Sequence, residues 1–86
     1  MSENQSMDVG IQPLDGIMAE REIKNNDLVA AAPPGFITHK QIQKGRKGRR
    51  LTMHMQQKLL DALNLYCAPD SYEWKQVFTY RGKKSL

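Results

Sequence analysis

The sequence predicts an all-α fold, a small bundle of four to five helices. Three observations carry it. Short polar residues suited to helix N-caps stand ahead of several runs with helical apolar spacing, at Asn25 or Asn26, Thr38, Thr52 and Asp70. Helix stops sit between those runs, at Pro33-Pro34-Gly35 and at Gly48. Hydrophobic residues make up 40% of the 86 positions but only six are aromatic, which suits one compact, mostly helical domain with a limited core.

Residues 1–12 are polar with little apolar spacing and read as a flexible N-terminal arm. Leu14, Ile17, Met18 and Arg21 recur at helical spacing, predicting a first helix from about Leu14 to Glu22. Asn25 or Asn26 is placed to cap a second helix, with Asp27 in its first turn and Leu28 to Ala32 as its body. Thr38 with Gln41 forms a capping box, and Ile37 with Ile42 a hydrophobic staple, so a third helix should run from His39 to Lys47 and stop at Gly48. Its surface is polar and basic, with Ile42 as the one strong apolar anchor. Thr52 caps a fourth helix, Met53 to about Asn64, with Met55, Leu59, Ala62 and Leu63 on one face and Leu60 beside it. In the remainder, residues 67–86, Asp70 and Glu73 precede Trp74, Val77 and Phe78 as a short helix would require. Tyr72, Trp74, Phe78 and Tyr80 equally fit the period of two of an extended segment, followed by a basic tail.

Charge is distributed unevenly. Seven basic residues lie between Leu28 and Leu60 (Lys40, Lys44, Arg46, Lys47, Arg49, Arg50 and Lys58) and no acid does, although the whole chain is only +4. A basic field concentrated in this way attracts polyanions, above all phosphate backbones; the alternative is a solvated charged face.

The chemistry-bearing residues are few. Cys67 has no partner for an internal disulfide, and with His39 and His54 it makes three soft ligands where a structural zinc normally takes four, so neither a metal nor a disulfide scaffold is expected. Cys67 precedes Pro69 after an apolar helix, the setting of a small buried filler, and neither histidine has an acidic neighbour in sequence. No catalytic residue, cofactor or small-molecule substrate is expected. Methionines at helical spacing read as packing. Gly45 and Gly48 bracket Arg46-Lys47 but follow no strand, so they are no phosphate loop. With no signal-like or membrane-spanning apolar run, a cytoplasmic protein is expected, nucleoid-associated if bacterial or phage.

In order and spacing, Ile23-Lys24-Asn25-Asn26-Asp27-Leu28-Val29-Ala30, Thr38-His39-Lys40-Gln41-Ile42-Gln43-Lys44, Gly48-Arg49-Arg50-Leu51-Thr52 and Leu59-Leu60-Asp61-Ala62-Leu63-Asn64 resemble the Cro/C1-type (XRE-like) helix-turn-helix family. The resemblance covers about Leu14 to Leu65. It implies a lambda-repressor-like helix-turn-helix domain over residues 13–66, double-stranded DNA as partner and a role in transcription regulation. The helix starting after Thr38 then corresponds to the recognition helix, with His39, Lys40, Gln43 and Lys44 toward base edges. Asn25, Asn26, Thr38, Arg46, Lys47, Arg49 and Arg50 correspond to phosphate-binding positions. A homodimer is also implied, with Trp74, Phe78 and Tyr80 as interface candidates that equally suit covering the core.

Two features depart from the family's pattern. The interval from Leu28 to Ile42 is about three residues longer than usual, placing Pro33-Pro34-Gly35 in the turn. Gly45 occupies the recognition helix's second core position, where a larger apolar residue normally packs; either the helix is less firmly seated or a neighbour such as Phe36 fills the space. Two other functions remain compatible with the sequence: an RNA-binding or nucleic-acid-associated accessory protein, and an antitoxin-like protein-interaction module using the aromatic segment from Tyr72 to Tyr80.

Overall fold

The computed structural model describes residues 9–82, which form five helices: α1 (Pro13–Glu20), α2 (Asn25–Ala31), α3 (His39–Lys47), α4 (Met53–Cys67) and α5 (Trp74–Val77). The fold is all-α, with no strand among the described residues. Helix α1 packs against both α3 and α5, α2 and α3 lie against each other, and α2, α3 and α5 all contact α4. All five enclose one core, centred on Leu14, Met18, Leu28, Ile42, Leu59 and Leu63, each fully buried.

Pro13 opens α1, where its missing N–H costs nothing. The helix ends at Glu20, two residues before the expected Glu22. Glu22 takes a left-handed conformation (φ 60°), and the Ile23 N–H closes on the Met18 carbonyl at 2.7 Å. This reversal turns Ile23 into the core. The cap of α2 also differs from expectation. Lys24, not Asn25 or Asn26, is the N-cap residue, because Asp27 reaches back to accept from the Lys24 N–H at 2.9 Å. The two asparagine side chains are thereby left to make lateral contacts. The helix ends at Ala31, just ahead of the prolines, and Pro33-Pro34-Gly35-Phe36 folds into a turn closed by the Phe36 N–H on the Pro33 carbonyl at 3.0 Å.

The boundaries of α3 are those the sequence predicts. Thr38 Oγ1 accepts from the Gln41 N–H at 3.2 Å, and Gln41 Oε1 accepts from the Thr38 N–H at 3.0 Å. Ile37 and Ile42 are both buried, as a staple requires. At the other end Gly48 is left-handed (φ 96°), and the N–H groups of Gly48 and Arg49 both close on the Lys44 carbonyl. A Cβ at Gly48 would also overlap the Gly10 backbone. Gly45 is seated tightly, contrary to the looser helix considered above. Leu59, Leu51 and Leu14, not Phe36, occupy the space beside it, and a Cβ there would come within 2.5 Å of Leu59 Cδ1.

Thr52 Oγ1 accepts from the Met55 N–H at 3.2 Å to start α4. This helix runs three residues beyond the expected Asn64, because Cys67 continues the buried stripe of Leu60 and Leu63 and no breaker occurs before Pro69. The Asn64 side chain then holds the Tyr72 backbone from both sides, donating to its carbonyl and accepting from its N–H. Residues 74–77 are helical, not extended, with the Glu73 N–H held by Gln76 Oε1 at 2.7 Å. Val77 and Phe78 enter the common core.

The two ends of the described segment are both docked on the body of the fold. The Val9 N–H donates to the Gly48 carbonyl at 2.7 Å and the Gln12 N–H to the Arg46 carbonyl at 3.1 Å, so residues 9–12 lie against the end of α3 instead of forming part of a loose arm. The rest of that arm, residues 1–8, and the basic tail at 83–86 lie outside the described residues. Gln12 is buried, accepting from the Thr79 N–H at 2.7 Å and donating to the Gly10 carbonyl at 3.0 Å. Gln56, fully buried, donates to the Tyr80 carbonyl at 3.0 Å and accepts from the Gly82 N–H at 2.7 Å. Two glutamine amides thus satisfy backbone groups that would otherwise be buried without partners. No helix among the described residues is long and apolar enough to cross a membrane.

Candidate nucleic-acid interface

Because α3 turns Ile42 and Gly45 inward, its helical period directs Lys40, Lys44 and Lys47 outward within an arc of about 60°. All three are exposed, as are His39 and Gln43. No carboxylate pairs with any of the three lysines among the described residues. The outward stripe spans about 10 Å of helix axis, and three donors at each ammonium make it suited to acceptors such as phosphate oxygens or purine edges.

The edge facing α1 and α2 is closed. Arg46 Nε donates to Asp15 Oδ1 on α1 at 2.6 Å, and its Nη1 donates to Asn25 Oδ1 on α2 at 2.8 Å. Asn25 Nδ2 donates in turn to Gln43 Oε1 at 2.9 Å. His39 Nε2 stands 3.2 Å from Asn26 Oδ1. The Arg46 and Asp15 side chains are 18% and 25% exposed, so the pair is more shielded than the surface bridges that contribute little. This network fixes α3 against α2 despite the long turn between them.

Of the sequence-predicted base-facing residues, His39, Lys40, Gln43 and Lys44 all project from the exposed part of α3, with His39 and Gln43 tethered to the asparagines of α2. Of the phosphate positions, Lys47 and Arg49 are exposed just after them, and Arg50 is half-buried with its guanidinium 5.3 Å above the Tyr80 ring. Thr38 is occupied in capping. Asn25 and Arg46 are engaged with each other and with α1 and α3, so their side chains brace the site where an outward phosphate contact was expected.

The beginning of α4 adjoins the same surface. Tyr80 accepts from the Leu51 N–H at 2.9 Å and donates to the Arg49 carbonyl at 3.3 Å, and its burial pushes the phenol above its usual range. The soft ligands are not gathered: His39 starts α3, His54 starts α4, and Cys67 is buried at the far end of α4, about 20 Å along the axis from His54. Among the described residues no three of His, Cys, Asp and Glu form a cluster able to hold a metal ion. Phe78 lies inside the core, and Trp74 and Tyr80 pack partly buried against it, which leaves little of this aromatic set outward.

Sequence reasoning missed Gln12, Gln56 and Arg81. For Gln56 there was a signal: it lies three residues before Leu59 on the buried stripe, where a polar side chain needs a buried partner. Arg81 has no role in the sequence reading, yet its guanidinium lies 4.6 Å above the Trp74 ring. No protein-family model, curated protein or solved structure matches the chain.

Proposed function

We propose that this chain is a sequence-specific double-stranded DNA-binding protein of the Cro/C1 helix-turn-helix type, acting in transcription regulation without catalysis or cofactor. The observation that carries the reading is the outward face of α3: Lys40, Gln43 and Lys44 are exposed on a helix capped at both ends and braced by the Arg46 network. A helix of 10–12 Å diameter fits the major groove, about 12 Å wide. On this reading Lys40 and Lys44 donate to guanine O6 and N7, Gln43 and His39 read neighbouring base edges, and Lys47, Arg49 and Arg50 hold phosphates. Asn26 sits beside His39 at the start of α2, in reach of the same strand. Arg46 and Asn25 position α3.

Selection of binding sites from a random duplex pool tests this. A recurrent motif is expected, and a palindromic one would add a homodimer with two half-sites about one helical turn apart. Retention of duplex without any motif would replace base reading with contact to phosphates alone, the accessory-protein function. No retention at low salt, where phosphate contacts are strongest, would overturn DNA binding.

A further inference from the structure

The sequence contains two acid-free basic stretches, residues 28–60 and 74–86, and the fold joins the described part of the second to the first at residues 80–82. Tyr80 is bonded through its hydroxyl to Arg49 and Leu51, and Gln56 of α4 holds the Tyr80 carbonyl and the Gly82 N–H. Gly82 presses so closely on Leu51 and Thr52 that a Cβ would overlap their backbone. Residues 80–82 are therefore strapped along the segment that follows α3.

This strap carries its own cation in an ordered setting. Trp74, Phe78 and Tyr80 form a ladder, with neighbouring ring centroids 6.1 and 6.0 Å apart. Arg81 stacks on the Trp74 end of the ladder and Arg50 on the Tyr80 end. Contact between a guanidinium and an aromatic ring uses none of its N–H donors, and a guanidinium fork can grip a phosphate with two parallel bonds. Stacking also restricts the side chain beforehand, so less conformational freedom is lost on contact. Neither Arg81 nor Arg49 is paired with a carboxylate among the described residues.

We propose that the C-terminal strap is a second phosphate-contacting element, in which Arg81, seated on Trp74, extends the cationic surface of Arg49 and Arg50 along a nucleic-acid backbone beside α3. This rests on the reading of α3 as the DNA-facing helix. Carboxylates share the fork geometry of phosphate, but the absence of any acid after Glu73 and the docking of Tyr80 against Arg49 and Leu51 favour a polyanionic backbone over an acidic peptide.

The test is titration of a short random-sequence duplex against the full chain at several salt concentrations, for wild type, Arg81→Ala and Arg81→Lys. Arg81 is exposed and its described contact is with the Trp74 ring, so both variants should stay folded and melt within a few degrees of wild type. Arg81→Ala is expected to weaken binding by about 3- to 10-fold at moderate salt and to lower the log-log salt slope by roughly one unit, while Arg81→Lys keeps most of that slope. Trp74, the only tryptophan, gives a second readout: its emission should change on duplex binding in wild type and much less in Arg81→Ala. If wild type binds duplex and Arg81→Ala retains affinity, slope and emission change, the strap is not a phosphate contact and the α3 reading stands. A wild type that binds no duplex, or binds only an acidic peptide, overturns both.

Discussion

On the edge of α3 that meets α1 and α2, Arg46 is bonded to Asp15 and Asn25, and Asn25 to Gln43. On the face turned away, one residue along, Lys47 joins Lys40 and Lys44 with no ion pair among the described residues. Side chains of the same charge, adjacent in sequence, thus have different roles. The closed edge holds the helix in place; the open face presents charge. Both depend on the same seat, Ile42 and Gly45 pressed on the core. The long turn before α3 is tolerable for this reason, since the orientation of α3 is set by packing and by the polar bracket and not by turn length.

The largest expected effect is removal of that seat. Ile42 is fully buried, so Ile42→Ala should cost about 2–5 kcal/mol, through lost transfer free energy and the cavity left behind. Chemical denaturation measures it. A cost under about 1 kcal/mol would mean that α3 is not anchored as described, and the distinction between its two edges would fail with it.

The next effect separates the edges directly. Arg46→Ala leaves the Asp15 carboxylate and the Asn25 carbonyl oxygen short of a donor in a partly buried site, and should cost roughly 1–3 kcal/mol. Lys47→Ala, next to it, should stay within about 0.5 kcal/mol. Equal costs for the two variants, by the same denaturation measurement, would break the comparison.

Lys44→Ala reverses the pattern. Its stability should remain within about 0.5 kcal/mol of wild type, while binding to a selected duplex site should weaken by roughly 1–3 kcal/mol with relaxed preference at one base pair. Uniform weakening on every sequence would move Lys44 to the phosphate backbone.

The extent to which these features can be read from the sequence follows the range of the interactions. Thr38, Gln41 and Gly48 mark α3 because caps act over three or four residues, and the outward lysines follow from the phase set by Ile42. The second helix was harder. Two asparagines looked like caps, but the competing interaction, Asp27 with the Lys24 N–H, is just as local and prevailed. The role of Arg46 was partly legible, since it lies one turn after Ile42 and so cannot face fully outward; its partner Asp15, 31 residues earlier, was not. The docking of residues 9–12 was hidden for the same reason: Gln12 and Thr79 are 67 residues apart, and no local pattern encodes that bond.

The smallest effect concerns the point where the strap closes over the end of α3. Tyr80 is neutral there, with its phenol held above the usual 10.0 first by burial, against the opposing pull of the Leu51 N–H and of Arg50. In the unfolded chain the phenol ionises near its ordinary value, so above that pH the unfolded state gives up a proton that the folded state keeps. The stabilisation from neutral Tyr80 is therefore complete below pH 10.0 and is lost as pH rises through the higher folded-state value. Ionisation also removes the hydrogen that Tyr80 donates to the Arg49 carbonyl. Denaturation midpoints from about pH 8 to about pH 11 should fall more steeply for wild type than for Tyr80→Phe, which lacks the titrating group. At the lower pH Tyr80→Phe should be the less stable protein, because the Leu51 N–H loses its acceptor. Parallel curves would show that the phenol is not held neutral by the fold, and that the strap lies more loosely on α3 than the closed edge beside it.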